Sequence, residues 1–441
     1  MIRSGRRNTL IAVSLFGLLA MAAVTALAQP PRAVGGPAPA AAAPAAAPAA
    51  APAAALAADL VPVSFATAQE VRIPANPPAL AAGKFNGGRY ADLAVVNQTN
   101  APATTGTISI LRIGSDGNLH LVHTVVAAPF LWRIAVADLN HDGKLDLITT
   151  ADQGYGHVAT LSVLLGRGNG TFGSRHDYRL GVIPCGSRPN AIAVGDLNHD
   201  GKLDVVVSRL YKVQVFLGKG DGTLSPTRTF AVDPAAFSDW HIDSLAIGDI
   251  NQDGKLDLVA GCEEGVNQPV GIVSVMLGKG DGTFRAGVSH PTSYLLPSSV
   301  ALANLNHDGK LDLIVNDDAD AEDWGVGSGT NWAAVVVSLG NGDGTFTKTA
   351  EYDLSELGSG AMKVADFNRD GYLDLAVVQN SGFDVLLGNG DGTFQAPVTF
   401  AHSPQWSGDA VATAGDFNGD GKPDVAVADG KTASIFFNMS N

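Results

Sequence analysis

The sequence predicts an all-β fold: a seven-bladed β-propeller of four-stranded antiparallel blades, its ring closed by an N-terminal strand. Three observations carry this expectation. A nine-residue motif, Asp-x-Asn-x-Asp-Gly-x-x-Asp, begins at Asp138, Asp196, Asp249, Asn304, Asp366 and Asp416, with a worn copy at Lys84. Copies recur every 50–62 residues or so, one supersecondary unit per repeat. Between them lie short alternating apolar runs punctuated by Gly- and Asp-rich turns, without helical periodicity.

The unit around Asp196 sets the blade. Ala191–Val194 is a short first strand and leads into the motif. Val205–Ser208 is a β-branched run that reads as a buried second strand. Val213–Leu217 alternates as a third. Gly218–Leu224, rich in Gly and Asp, predicts a primed hairpin turn, and Thr227–Phe230 makes the fourth strand. The hairpin signal recurs at Gly166–Phe172, Gly278–Phe284, Gly340–Phe346 and Gly388–Phe394, where its terminal Phe is expected to plug the gap between blades.

Seven motifs give seven blades, at about 55 residues each over residues 59–441. The last repeat ends on Ser434–Phe437, a third strand with no fourth behind it. The segment from Val63 to Ile73 resembles the one from Gly392 to Phe400, so it is expected to supply the missing outer strand and remove an open edge.

The motif has its own chemistry. In the copy from Asp138, side-chain oxygens come from Asp138, Asn140, Asp142 and Asp146, and the Lys144 carbonyl adds a fifth while its ammonium points to water. Gly143 supplies the turn that gathers them. Carboxylates this close repel unless a cation lies between them. Oxygen ligands in a flexible loop, without His or Cys, favour Ca²⁺ over zinc or copper. The loop is not an EF-hand, since no Glu stands at the twelfth position. One such loop alone reads equally as an ordinary Asx turn; six in one register do not. In the worn copy Lys84, Asn86 and Gly88 precede Asp92, and this loop is expected to be metal-free, with the Lys84 ammonium in the place of the ion.

Composition sets the compartment. Arg3, Arg6 and Arg7 precede an apolar run, and Ala26-Leu27-Ala28 reads as a cleavage site, giving a signal peptide over residues 1–28. An uncleaved membrane anchor is the alternative reading. Residues 29–58 are nearly all Ala and Pro and read as an extended linker. The formal charge is −15. Five loops carry three carboxylates each and the loop from Asn304 carries two, so the acidity belongs chiefly to the loops. A chain this acidic argues against nucleic acid as a partner. The two cysteines, Cys185 and Cys262, are placed in loops on one face, where a disulfide is permitted by an oxidising compartment.

Phrases such as VGDLNHDGKLDVVV and VLLGNGDGTFQAP resemble the FG-GAP/VCBS repeats of secreted bacterial proteins and the calcium-bearing blades of the integrin alpha-subunit propeller. The resemblance spans about residues 60–441. It implies Ca²⁺ in the loop between first and second strands, at about six sites. Carried over copy by copy, the ligands are first Asp138, Asn140, Asp142, Lys144 and Asp146, then Asp196, Asn198, Asp200, Lys202 and Asp204. The third and fourth sets are Asp249, Asn251, Asp253, Lys255 and Asp257, and Asn304, Asn306, Asp308, Lys310 and Asp312. The last two are Asp366, Asn368, Asp370, Tyr372 and Asp374, and Asp416, Asn418, Asp420, Lys422 and Asp424. Asn304 leaves its loop one charge short, so weaker binding is expected there.

The family implies extracellular adhesion or recognition of a protein or polysaccharide rather than catalysis. The ligand is expected on the face opposite the calcium loops. Candidates there are Trp132, Trp240, Trp324, Trp332 and Trp406, for stacking, and Glu263, Glu264 and Asp318, as an acidic patch. Each has a plain reading as well: rings packed between blades, and a solvated acidic insertion over Asn316–Trp324. No nucleophile-elbow, zincin, P-loop or dinucleotide fingerprint occurs. A carbohydrate-active enzyme of lyase type, using the variable loops, is the alternative function.

Overall fold

In the computed structural model, the described residues are 62–440 apart from 75–76, 98–104, 153–156, 183–187, 233–240, 264–270, 293–295, 320–331, 355–357 and 403–409. The signal and linker expectations for residues 1–58 fall outside them. Asp59–Asn441 forms one compact unit. Among the described residues there is no helix, hence none long and apolar enough to cross a membrane.

Seven four-stranded antiparallel sheets make the propeller. In the third blade the strands are Ile192–Gly195, Asp204–Arg209, Lys212–Gly218 and Leu224–Ala231, paired in chain order. The second strand is buried along nearly its whole length, as its run of valines requires, because it is covered by blades on both sides. The fourth alternates toward solvent. Inner strands are Leu80–Gly83, Leu131–Ala137, Ile192–Gly195, His241–Gly248, Leu296–Ala303, Gly358–Ala365 and Val411–Gly415. Each ends on a residue that pairs with the last Asp of its motif: Gly83 with Asp92, Ala137 with Asp146, Gly195 with Asp204.

Closure follows the expected route. Gln69–Arg72 pairs antiparallel with Thr432–Ile435 and becomes the outer strand of the seventh blade. Upstream, Phe65 bridges Asn438 and packs edge-on against Phe367, ring centroids 6.1 Å apart. That is the place a hairpin Phe takes elsewhere. Phe172 meets Phe85 of the preceding blade at 5.7 Å, and Phe284 and Phe394 share clusters with Leu197 and Leu305 of theirs. The core is therefore a ring of inter-blade clusters, each built from two neighbouring sheets.

Several local expectations change. The hairpin loops are not two-residue primed turns. Gly220 and Gly222 have positive φ with Asp221 between them, and the Lys219 N–H bonds the Thr223 carbonyl at 3.0 Å around a three-residue loop. The Asp221 carboxylate accepts from the Thr223 N–H at 2.8 Å, an Asx-type bond that braces the loop between its two left-handed glycines. Asn316–Ala319 belongs to the strand Asp312–Ala319, with Asn316 and Asp317 fully buried, not to an acidic loop. Glu263 likewise ends the strand Asp257–Glu263, and Cys262 is buried within it rather than in a loop. Cys185 lies outside the described residues.

Candidate functional site: the acidic loops between first and second strands

The loops are nests of backbone N–H groups closed by side-chain oxygens. In the loop from Asp138, the Asp138 carboxylate accepts from the Asp142 N–H at 3.1 Å and the Gly143 N–H at 2.8 Å. Asn140 Oδ1 accepts from the Asp142 N–H at 3.2 Å. The loop from Asp196 repeats these bonds at 3.1, 2.9 and 3.1 Å, and that from Asp249 at 3.0, 2.9 and 3.0 Å. Gly143 has φ 79°, as expected. His141, His199, Gln252, His307 and Arg369 also have φ of 56–61°, so the fourth position is a second left-handed residue that the pattern did not reveal. In the last loop Gly419 fills it. These side chains are exposed.

The last Asp of each motif is the most constrained. Asp92, Asp146, Asp204, Asp257, Asp312, Asp374 and Asp424 have no exposed surface. Asp204 Oδ2 accepts from the Leu197 N–H at 2.9 Å, inside its own loop. Its Oδ1 accepts from the Gly218 N–H at 2.8 Å, where the third strand turns into the hairpin. Asp146, Asp257, Asp312 and Asp374 make the same two bonds, and Asp424 uses the Asn438 N–H for the second. Each carboxylate thus clasps the loop to the hairpin. Leu197 also accepts from the Gly282 N–H of the next blade at 3.2 Å, so the clasp reaches the blade interface. Burial pushes these carboxyls up, Asp374 to about 6 and Asp424 to about 7, against the pull of the backbone N–H groups.

The seventh-position lysines are solvent-accessible, but their ammonium groups are paired rather than free. Lys144, Lys202, Lys255 and Lys310 fold back onto the fifth-position carboxylates at 2.9, 3.0, 3.3 and 3.3 Å. These hydrogen bonds hold Asp142 and Asp200 below the usual carboxylate range. All four pairs stand in solvent and are cheap to exchange. Lys422 instead reaches the Ser440 carbonyl, and Tyr372 contacts the His307 ring edge-on at 5.6 Å.

In the worn loop the expected cation is the wrong one. Lys84 is exposed, while Arg112 from the third strand bonds Asp92 at 2.8 Å, with Asn86 at 2.9 Å from the same oxygen. The guanidinium stands where the other blades put a backbone N–H. Desolvation still raises the Asp92 pKa, opposed by Arg112.

Do these residues fit Ca²⁺? Among the described residues no three His, Cys, Asp or Glu side chains converge as a ready cage. The donor set nevertheless suits the ion: Asp and Asn oxygens and a carbonyl on one short loop. Two first-position oxygens, Asn304 Oδ1 and Asp366 Oδ1, are buried without a hydrogen-bond partner, an arrangement that is costly unless something pairs with them. The residues therefore fit an oxygen-seeking cation in chemistry, with side-chain adjustment left to bring the acids together.

Of the candidates for the opposite face, Trp132 lies within the strand Leu131–Ala137 rather than ahead of it. Its ring is capped by the Arg188 guanidinium at 3.6 Å, a cation–π contact, and its Nε1 donates to the Asp152 carbonyl at 3.4 Å. Trp332 starts the strand Trp332–Gly340, and Asp318 and Glu263 lie in strands; their side chains are outside the description. Trp240, Trp324, Trp406 and Glu264 fall outside the described residues. Sequence reasoning also missed Arg133, Asn190, Asp243 and Lys363, polar groups on the wall of the central channel. The available signal was clearest at Lys363, a charged residue in the inner-strand register where five other blades carry Ala81, Ala135, Ala193, Ala246 and Ala301.

A propeller of repeated acidic-loop blades defines a class, and comparison with known proteins identifies it. The FG-GAP-like repeat model matches residues 151–207, 205–260, 322–377 and 366–427, and the FG-GAP repeat model matches 130–170. Together they cover more than half of the chain, which belongs to the FG-GAP repeat family. The chain is 28% identical to human (Homo sapiens) integrin alpha-IIb over 212 residues, 43% of this chain and 20% of that protein, so it spans about a fifth of that relative's length. Among solved structures, an Agrocybe aegerita lectin described as recognising non-reducing terminal N-acetylglucosamine shares 18% identity. It covers 78% of this chain and 83% of its own at a TM-score of 0.46, an overlap too loose to bear on the ligand.

Proposed function

We propose that this chain is an exported, non-catalytic recognition or adhesion propeller, held together by Ca²⁺ in six of its seven loops and presenting the opposite face to a protein or polysaccharide ligand. The observation that carries this reading is the set of six in-register oxygen loops, each with a buried terminal carboxylate, two with unpaired buried first-position oxygens. An ion there would offset carboxylate charge that burial makes costly. The worn loop carries Lys84 and Gly88 where, Asn304 apart, the others carry carboxylates, and needs none. FG-GAP membership supports adhesion or recognition as the role, and the sequence features of residues 1–58 support export.

Retention on a panel of polysaccharides and matrix proteins tests the role. Calcium-dependent retention without cleavage is expected; release of shortened chains would overturn the non-catalytic reading. The calcium sites should also be graded. Ligands that bind only the folded state stabilise it by about 2.7 kcal/mol at a hundredfold excess over Kd. Asp200→Ala should forfeit an increment of that order in saturating Ca²⁺. Asp308→Ala should forfeit less, because its loop already lacks a carboxylate at Asn304. Equal losses in thermal melts would contradict the grading.

A further inference from the structure

The inner strands of all seven blades wall a central channel of about 360 Å³. Much of its lining is small or apolar, as at Ala79, Ala191 and Ala301. Four residues depart from this: Arg133, Asn190, Asp243 and Lys363. Strand register gives their depths. Counting back from the residue paired with each motif's last Asp, Arg133 is four residues away, Asn190 and Asp243 five, and Lys363 two. The first three share one level, at the mouth opposite the acidic loops. Lys363 is two to three residues deeper, roughly 7–10 Å along the strand.

The mouth groups are largely fixed. Arg133 Nη1 donates to the Pro78 carbonyl at 3.0 Å and the Trp132 carbonyl at 3.2 Å. Asn190 Nδ2 donates to Asp243 Oδ1 at 2.9 Å, the second Asp243 oxygen has no hydrogen-bond donor among the described residues, and His241 and Arg133 act on this carboxylate through charge alone. Arg133 and Asp243 are close enough to feel each other's charge and too far apart to pair directly. Lys363 differs from all of these. It is half-buried on the channel wall, it has no hydrogen bond and no ion pair among the described residues, and desolvation pulls its ammonium down. A partly desolvated ammonium without a protein acceptor favours an anion that can supply one. A hydrophobic residue of equal length would pack the same wall without that desolvation cost.

We propose that the central channel is a binding site for one small hydroxylated monocarboxylate of sugar-acid size, its carboxylate on Lys363 and its hydroxyl groups on Asp243 and Asn190 at the mouth. The charge count fixes the class. At the mouth Arg133 and Asp243 offset each other's charge, so among the described lining residues the Lys363 ammonium leaves one net positive charge, which matches one negative charge rather than a dianion such as phosphate. The mouth offers both an acceptor and a donor, which suits hydroxyl groups. The volume lies at the small end of ligand pockets, ~300–1,000 Å³, so it suits a single ring rather than a chain. This inference goes beyond the loop-face reading and does not rest on it.

The test is calorimetric titration of the calcium-loaded full chain with D-glucuronate, D-glucose and acetate. Glucuronate and glucose differ only at the carboxylate. One-to-one binding of glucuronate, at least tenfold tighter than either glucose or acetate, is expected. Lys363→Met should weaken glucuronate at least tenfold while leaving the melting temperature unchanged or higher, and Lys363→Gln should behave alike. Retention on any surface ligand should be unaffected, which separates failure here from failure of the loop-face reading. Glucose bound as tightly as glucuronate, glucuronate not bound at all, or full affinity in Lys363→Met would each overturn the proposal. Equal binding of acetate would reduce the site to an adventitious ion only. Should both variants fail to fold, the comparison of the three probes on the native chain still decides.

Discussion

Asp204→Ala is expected to destabilise the propeller by about 2–6 kcal/mol, and to do so even in chelator. The Asp204 carboxylate is fully buried and satisfies two buried backbone donors, the N–H groups of Leu197 and Gly218. Alanine leaves both without a partner, and a buried unsatisfied donor costs about 1–3 kcal/mol. Domain stabilities of about 5–15 kcal/mol make that a large fraction of the whole. The damage also spreads, because Leu197 holds the hairpin of the next blade through Gly282. Asp200→Ala is the control. Asp200 is exposed and paired only with Lys202 and its own loop, so in chelator its loss should cost less than about 1 kcal/mol. Denaturant midpoints of the two variants in EDTA check this. Equal midpoints would mean that the last Asp is a metal ligand only, and not a clasp.

Removing residues 1–74 should abolish cooperative unfolding, whereas removing residues 1–58 should leave the melting temperature unchanged. The longer deletion takes away the pairing of Gln69–Arg72 with Thr432–Ile435 and exposes the edge of Thr432–Phe436. It also removes Val63 and Ile73 from their clusters, and Phe65 from its contacts with Phe383 at 5.1 Å and Phe400 at 4.9 Å. Each buried apolar side chain is worth ~1.5–3 kcal/mol. An unpaired strand then offers a template for association between chains. Aggregation of the longer deletion, seen by light scattering, is the expected companion result. A monomeric, cooperatively melting protein lacking residues 1–74 would contradict strand closure.

Much of the fold was legible because the pattern repeats. A nine-residue oxygen loop, a valine-rich second strand and a Gly-Asp-Gly hairpin each say little alone, but their shared phase fixes strand order and blade number. Closure was legible for the same reason, since Phe65 stands where Phe394 stands one repeat earlier. What escaped depends on contacts between distant residues. Arg112 reaches Asp92 from a strand 20 residues on, so local reading offered Lys84 instead. Asn316 and Asp317 are polar, so they read as loop; burial against the neighbouring blades keeps them in strand. The left-handed backbone at His141 leaves no mark in composition, because the loop's own hydrogen bonds impose it. Lys363 stands out only once seven inner strands face one channel.

Direct measurement of bound metal tests the central claim most plainly. The purified chain, equilibrated with calcium and desalted, would be assayed by elemental analysis and then melted with and without EDTA. The expected result is several calcium ions per chain, approaching the six intact loops, and a melting temperature that falls markedly on chelation. A chain that carries no calcium and melts identically in EDTA would contradict it.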